Sequence, residues 1–126
     1  MSPSPEVCAD FVTRFAEFWS APDPEALPRV LSDDVHLEAP LTPATDGMDA
    51  AKGIFAGLLA LYPDLHAVVH RWGAHPEGVF IEFTLLATAA TGQLAVRAVD
   101  VFLVGDDGLA TERVSYFDPA PLLAAN

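Results

Sequence analysis

The feature that most constrains this chain is a change of hydrophobic period near its midpoint. Up to Leu61 the apolar residues recur at helical spacing, and from Leu65 onward they alternate. Within residues 5–20, Phe11, Phe15, Phe18 and Trp19 form one stripe, opposite Thr13, Arg14 and Glu17. Ala21-Pro22-Asp23-Pro24 breaks that helix. Asp23 is a natural N-cap and Pro24 a first helical residue, so a short second helix is expected to run to about Leu31. The spacing then predicts a brief strand over 35–39, a loop over 40–46 and a third helix over 48–61. Tyr62-Pro63-Asp64 ends the third helix.

Beyond that point, residues 65–72, 79–88, 94–104 and 109–117 are rich in Val, Phe, Leu, Ile and Thr. Gly and Asp turns separate them, short enough to make successive strands antiparallel neighbours. Helices first and a meander afterwards predict an α+β fold. Its curved antiparallel sheet wraps around three N-terminal helices and encloses an apolar pocket. The 126 residues suit one domain spanning 1–126, with a core and one cavity.

Charge removes several function classes. With 6 basic against 18 acidic residues, the net charge of −12 repels phosphate backbones and anionic lipid, so no nucleic-acid or membrane partner is expected. No apolar run reaches the ~20 residues of a membrane span. The first residues lack the basic and apolar regions of a signal peptide, so a cytoplasmic location is expected. The single cysteine, Cys8, cannot form an internal disulfide and reads as a small buried hydrophobe. His66 and His70 share a strand face, but their Cα atoms would lie ~13 Å apart, so no metal site is expected. No Gly-rich phosphate loop precedes a helix, and no cofactor is expected.

Three segments carry a family resemblance: Leu31-Ser32-Asp33-Asp34-Val35-His36-Leu37-Glu38-Ala39-Pro40, Ala98-Val99-Asp100-Val101-Phe102 and Arg113-Val114-Ser115-Tyr116-Phe117-Asp118-Pro119. In this order of elements the chain resembles the nuclear transport factor 2-like superfamily. That superfamily includes ketosteroid isomerase, limonene epoxide hydrolase and the SnoaL-like polyketide cyclases. The resemblance covers nearly the whole chain and implies the cone-shaped fold. It does not by itself choose a reaction, because one pocket hosts many chemistries. The isomerase's general base would stand at Ala39, and its two supporting tyrosines at Phe15 and Phe55. The hydrolase's Asp-Arg-Asp set would fall near Phe83, Leu85 and Ser115. Neither set is intact.

Asp100 is the strongest catalytic candidate. It is the lone acid in an apolar strand, on one face with Val96, Ala98 and Phe102. Facing a pocket, it would be desolvated and its pKa raised. By resemblance, it falls at the isomerase's protonated aspartic acid, which donates a hydrogen bond to substrate. Arg113 and Ser115 share a face with Phe117 and are placed inward. Arg113 would oppose desolvation by favouring the carboxylate. Both could equally be structural. His70 and His36 are candidate pocket acids or bases. Phe15, Trp19, Phe55, Phe83, Phe102 and Phe117 are candidate ligand-binding aromatics.

These residues predict a SnoaL-like enzyme that isomerises, cyclises or hydrates a small apolar metabolite by acid–base chemistry. A non-catalytic binding module or a dimeric interaction domain of the same fold is the alternative reading. On the outward sheet face, Val99, Val101, Leu103, Phe80, Leu86, Val114 and Tyr116 predict a homodimer.

Overall fold

A computed structural model describes residues 2–125 of the chain. Met1 and Asn126, the ends of the expected 1–126 domain, lie outside the described residues. Helix α1 spans Pro5–Ser20, and the Ser4 hydroxyl caps it by accepting from the Val7 N–H. Its stripe of Cys8, Phe11, Val12, Phe15, Phe18 and Trp19 is buried.

The second expected helix is a six-residue 3-10 helix, Pro24–Arg29, capped by Asp23. Pro28 removes a backbone donor inside it, which disfavours a longer α-helix. Strand β1 is longer than expected, Leu31–Ala39. The expected loop is a strand as well: β2, Thr42–Asp46, returns antiparallel to β1. Two prolines concealed it, and its tight turn places Leu41 at a φ of 69°. Helix α2, Met48–Leu61, follows as expected.

The alternating half of the chain forms β3 (His66–His75), β4 (Gly78–Ala89), β5 (Gly92–Val104) and β6 (Ala110–Phe117). A short C-terminal helix, α3 (Ala120–Ala125), closes the described chain. The six strands make one unclosed sheet in the order β2-β1-β6-β5-β4-β3. All pairings are antiparallel except β1 with β6, which run parallel. The sheet is therefore mixed rather than purely antiparallel.

One sheet face and the helices share a continuous core. Val35, Val79, Ile81, Phe102 and Ala110 from the strands pack with Phe11, Leu27 and Ala51 from the helical layer. Gly78 lets β4 approach β5 closely: a Cβ there would lie 1.9 Å from the Phe102 carbonyl oxygen. The core does not fill the space between α2 and the strands, and the cavity lies there.

Candidate functional site

Antiparallel pairing of β5 with β6 builds the polar wall of the site. Asp100 stands opposite Ser115, and Phe102 opposite Arg113, with all four on the inner face. Period two does the rest: Val96 and Ala98 precede Asp100 on that face and are buried with it. Asp100 is 1% exposed, and its Oδ1 accepts a 2.5 Å hydrogen bond from the Ser115 hydroxyl.

The cavity beside this wall has a volume of about 270 Å³. Asp100, Ser115 and Arg113 all line it. Much of the remaining wall is apolar, with Trp19 from α1, Ile54, Phe55 and Leu58 from α2, and Leu85 and Phe83 from β4. The β1–β2 turn contributes Leu41, which is 58% exposed, and α3 contributes Leu122.

Burial pushes the Asp100 carboxyl up to about 6, the Arg113 charge and the Ser115 hydrogen bond only partly opposing it. Desolvation therefore outweighs both neighbours. Arg113 is diagonal to Asp100 across the β5–β6 pair, near enough for its charge to act on the carboxyl. None of the described ion pairs joins them. The Arg113 Nε is buried and has no hydrogen-bond partner.

Of the expected aromatics, Trp19, Phe55, Phe83 and Phe117 line the cavity. Phe15 and Phe102 instead line a smaller void of about 20 Å³, which shares Asp100, Arg113, Trp19 and Phe55 with the main cavity. They lie deeper, their rings 5.6 Å apart and edge-to-face, and are core residues. Alternation gave the correct face for Phe102, but not its depth.

Neither His36 nor His70 lines the cavity. His36 is flanked on β1 by inward Val35 and Leu37, so it projects outward, between Asp46 at 2.7 Å and Glu38 at 2.9 Å. Those carboxylates, Asp46 first, raise its pKa and favour the imidazolium. His70 is exposed and bonds Thr84 beside an irregularity in the β3 register. His36, Glu38 and Glu112 bring ligand-type atoms within 4.8 Å of one another. Both His36 nitrogens already face carboxylates, which suits a charged ion pair better than a neutral metal ligand.

Several lining residues went unseen in the sequence. Leu58 lies on the expected third helix, whose apolar residues give no sign of which one meets a cavity. Tyr62 was read as a helix stop, although it is buried and lines the cavity. Leu41 and Leu122 lie on elements with no periodic signal.

A curved mixed sheet around a helical layer, hollow at the sheet's inner face, defines the nuclear transport factor 2-like fold. Solved structures bear this out. A protein from Jannaschia sp. CCS1, described as a candidate SnoaL-like polyketide cyclase, superposes with a TM-score of 0.82 at 19% identity, covering 99% of this chain and 96% of its own. A protein with a ketosteroid isomerase-like fold from Catenulispora acidiphila, in complex with trimethylamine, gives 0.81 at 20% identity over 97% and 92%. TerC, co-crystallised with polyporic acid, gives 0.82 at 16% over 94% and 97%. No curated protein matches the sequence. Residues 12–113 match the SnoaL-like domain, and the chain belongs to that family.

Proposed function

We propose that this protein is a cofactor-independent enzyme that moves a proton on a small, largely apolar metabolite, with Asp100 as the group that gives or takes it. The observation that carries this reading is the position of Asp100, fully buried in a cavity wall with its carboxyl raised to about 6. A proton-transfer group works best when its pKa lies near the operating pH. Perturbed acids in apolar pockets cluster at functional sites. Family membership supports the same class, since a structural neighbour is described as a candidate polyketide cyclase.

The chemistry needs few parts. Ionised Asp100 would accept a proton from a carbon next to a carbonyl. Neutral Asp100 would return it elsewhere on the same substrate, as in an isomerisation or a ring closure. Ser115 would hold the carboxyl in place through its hydrogen bond. Trp19, Phe55 and Phe83 would exclude water.

The test is solvent-deuterium exchange into α-tetralone, followed by mass spectrometry. Wild-type protein should accelerate exchange at the carbon beside the carbonyl, and Asp100→Asn should not. Equal exchange with both proteins, or none above buffer, would remove the acid–base role. One observation favours a non-catalytic binding module instead: Ala39 lines the cavity where a relative by resemblance has its base. Ligand affinity without exchange would select that reading.

The outer face supports a second copy of this chain as partner. Phe80, Tyr116 and Val68 stand 44%, 60% and 47% exposed there, beside half-buried Val101 and Val114. Sedimentation at micromolar concentration should show a dimer, and a monomer would contradict it. No helix is long and apolar enough to cross a membrane.

A further inference from the structure

We propose that Arg113 is an oxyanion-binding subsite, and that the metabolite is a compact acid of about two rings carrying one anionic oxygen group. This rests on the small-molecule reading of the cavity and names the class of molecule it takes.

The argument starts from an unbalanced donor. A guanidinium offers five N–H groups, accepts nothing and does not lose its charge in proteins. Buried arginine nitrogens are ordinarily satisfied by carboxylates or carbonyls. The Arg113 Nε is enclosed without a hydrogen-bond partner, and none of the described ion pairs involves Arg113. Asp100, its diagonal neighbour, accepts from Ser115 instead. The Nε itself meets no open space, so the donors that Arg113 offers to the cavity it lines are its terminal guanidinium nitrogens, which make none of the described hydrogen bonds. Carboxylates, enolates and phenolates carry the charge on planar oxygens that a guanidinium matches.

Size and polarity narrow the molecule further. An apolar cavity of about 150 Å³ takes one benzene ring. The 270 Å³ found here suits about two rings. The polar groups Asp100, Ser115 and Arg113 are gathered on the β5–β6 wall, facing apolar Trp19, Phe55 and Leu58. A ligand that fits has an apolar body and one polar edge. The net charge of −12 does not forbid an anion there, because exposed charges are screened within ~10 Å, while the half-buried Arg113 is screened less.

The experiment is calorimetric titration with two matched pairs. For a carboxylate, 2-naphthoate is compared with neutral 2-naphthamide; for an enolate, 4-hydroxycoumarin is compared with coumarin. In at least one pair the wild-type protein should bind the anion about tenfold or more tightly, the scale of a charged hydrogen bond. The preferred pair identifies the oxygen group. Arg113→Met should keep affinity for the neutral probe and lose the preference, and Arg113→Lys should restore part of it. Equal affinities within both wild-type pairs would overturn the subsite without any variant, leaving the cavity and its acid–base role standing. Failure of all four probes to bind would overturn the subsite and the cavity reading together. Loss of deuterium exchange with the anion preference intact would instead sink only the catalytic reading.

Discussion

Ser115 donates a 2.5 Å hydrogen bond to Asp100 from directly across the β5–β6 ladder, so the two buried polar side chains of this wall are bonded to each other. That bond favours the charged carboxyl, and burial favours the neutral one more strongly. Removing the hydroxyl should therefore raise the Asp100 pKa above its value of about 6. A net hydrogen bond of ~1 kcal/mol corresponds to somewhat under one pH unit. The pH profile of deuterium exchange in Ser115→Ala should shift upward by that amount.

Asp100 should also set a pH dependence of stability. Its folded pKa lies near 6, above the ordinary 3.8. The folded state therefore holds the proton more tightly, and this stabilisation is complete below pH 3.8 and lost by about pH 6. Above that, the ionised carboxylate costs about 3 kcal/mol relative to its unfolded state. Asp100→Asn should raise the melting temperature at pH 8 and change it little at pH 4, as thermal scans at the two values would show. A site that works by holding an unfavourable charge makes its removal stabilising.

His36 operates in a different window. Asp46 and then Glu38 raise its pKa above 6.5. Its ion pairs contribute fully below pH 6.5 and fade as pH rises through the elevated folded value. His36→Gln should lower the melting temperature slightly at pH 6 and not at pH 9. Because the group is exposed, high salt should shrink the difference.

Filling the cavity should separate binding from folding. Ala98 lines it on the Asp100 face and is buried. Ala98→Phe should abolish binding of 2-naphthamide in calorimetry, with a stability cost of roughly 1–3 kcal/mol from overpacking.

Gly78 tests the close contact of β4 and β5. With a Cβ placed 1.9 Å from the Phe102 oxygen, backbone has to move. Gly78→Ala should cost about 3 kcal/mol or more in denaturant unfolding. This exceeds the ordinary penalty for a surface substitution.

The legible parts of this molecule were those governed by local period. Asp100 stood out because one charge interrupts an apolar strand, and alternation placed it inward with Ser115 and Arg113. The same parity puts His36 outward, since Val35 and Leu37 are its buried neighbours. Depth has no period, so no local pattern separates Phe15 and Phe102, which line the small void, from the aromatics of the main cavity. Strand β2 carries Pro43 and a turn through Leu41 at positive φ with no glycine to signal it. The parallel β1–β6 pairing joins segments far apart in the chain, and no local pattern encodes it.

The most direct measurement is a carbon-13 NMR titration of the Asp100 carboxyl, assigned by its loss in Asp100→Asn. The account predicts a midpoint near pH 6 that moves when 2-naphthamide enters the cavity. A midpoint near 3.8, unmoved by the ligand, would mean that water reaches this carboxyl freely, and the proposed proton transfer would have no acid to perform it.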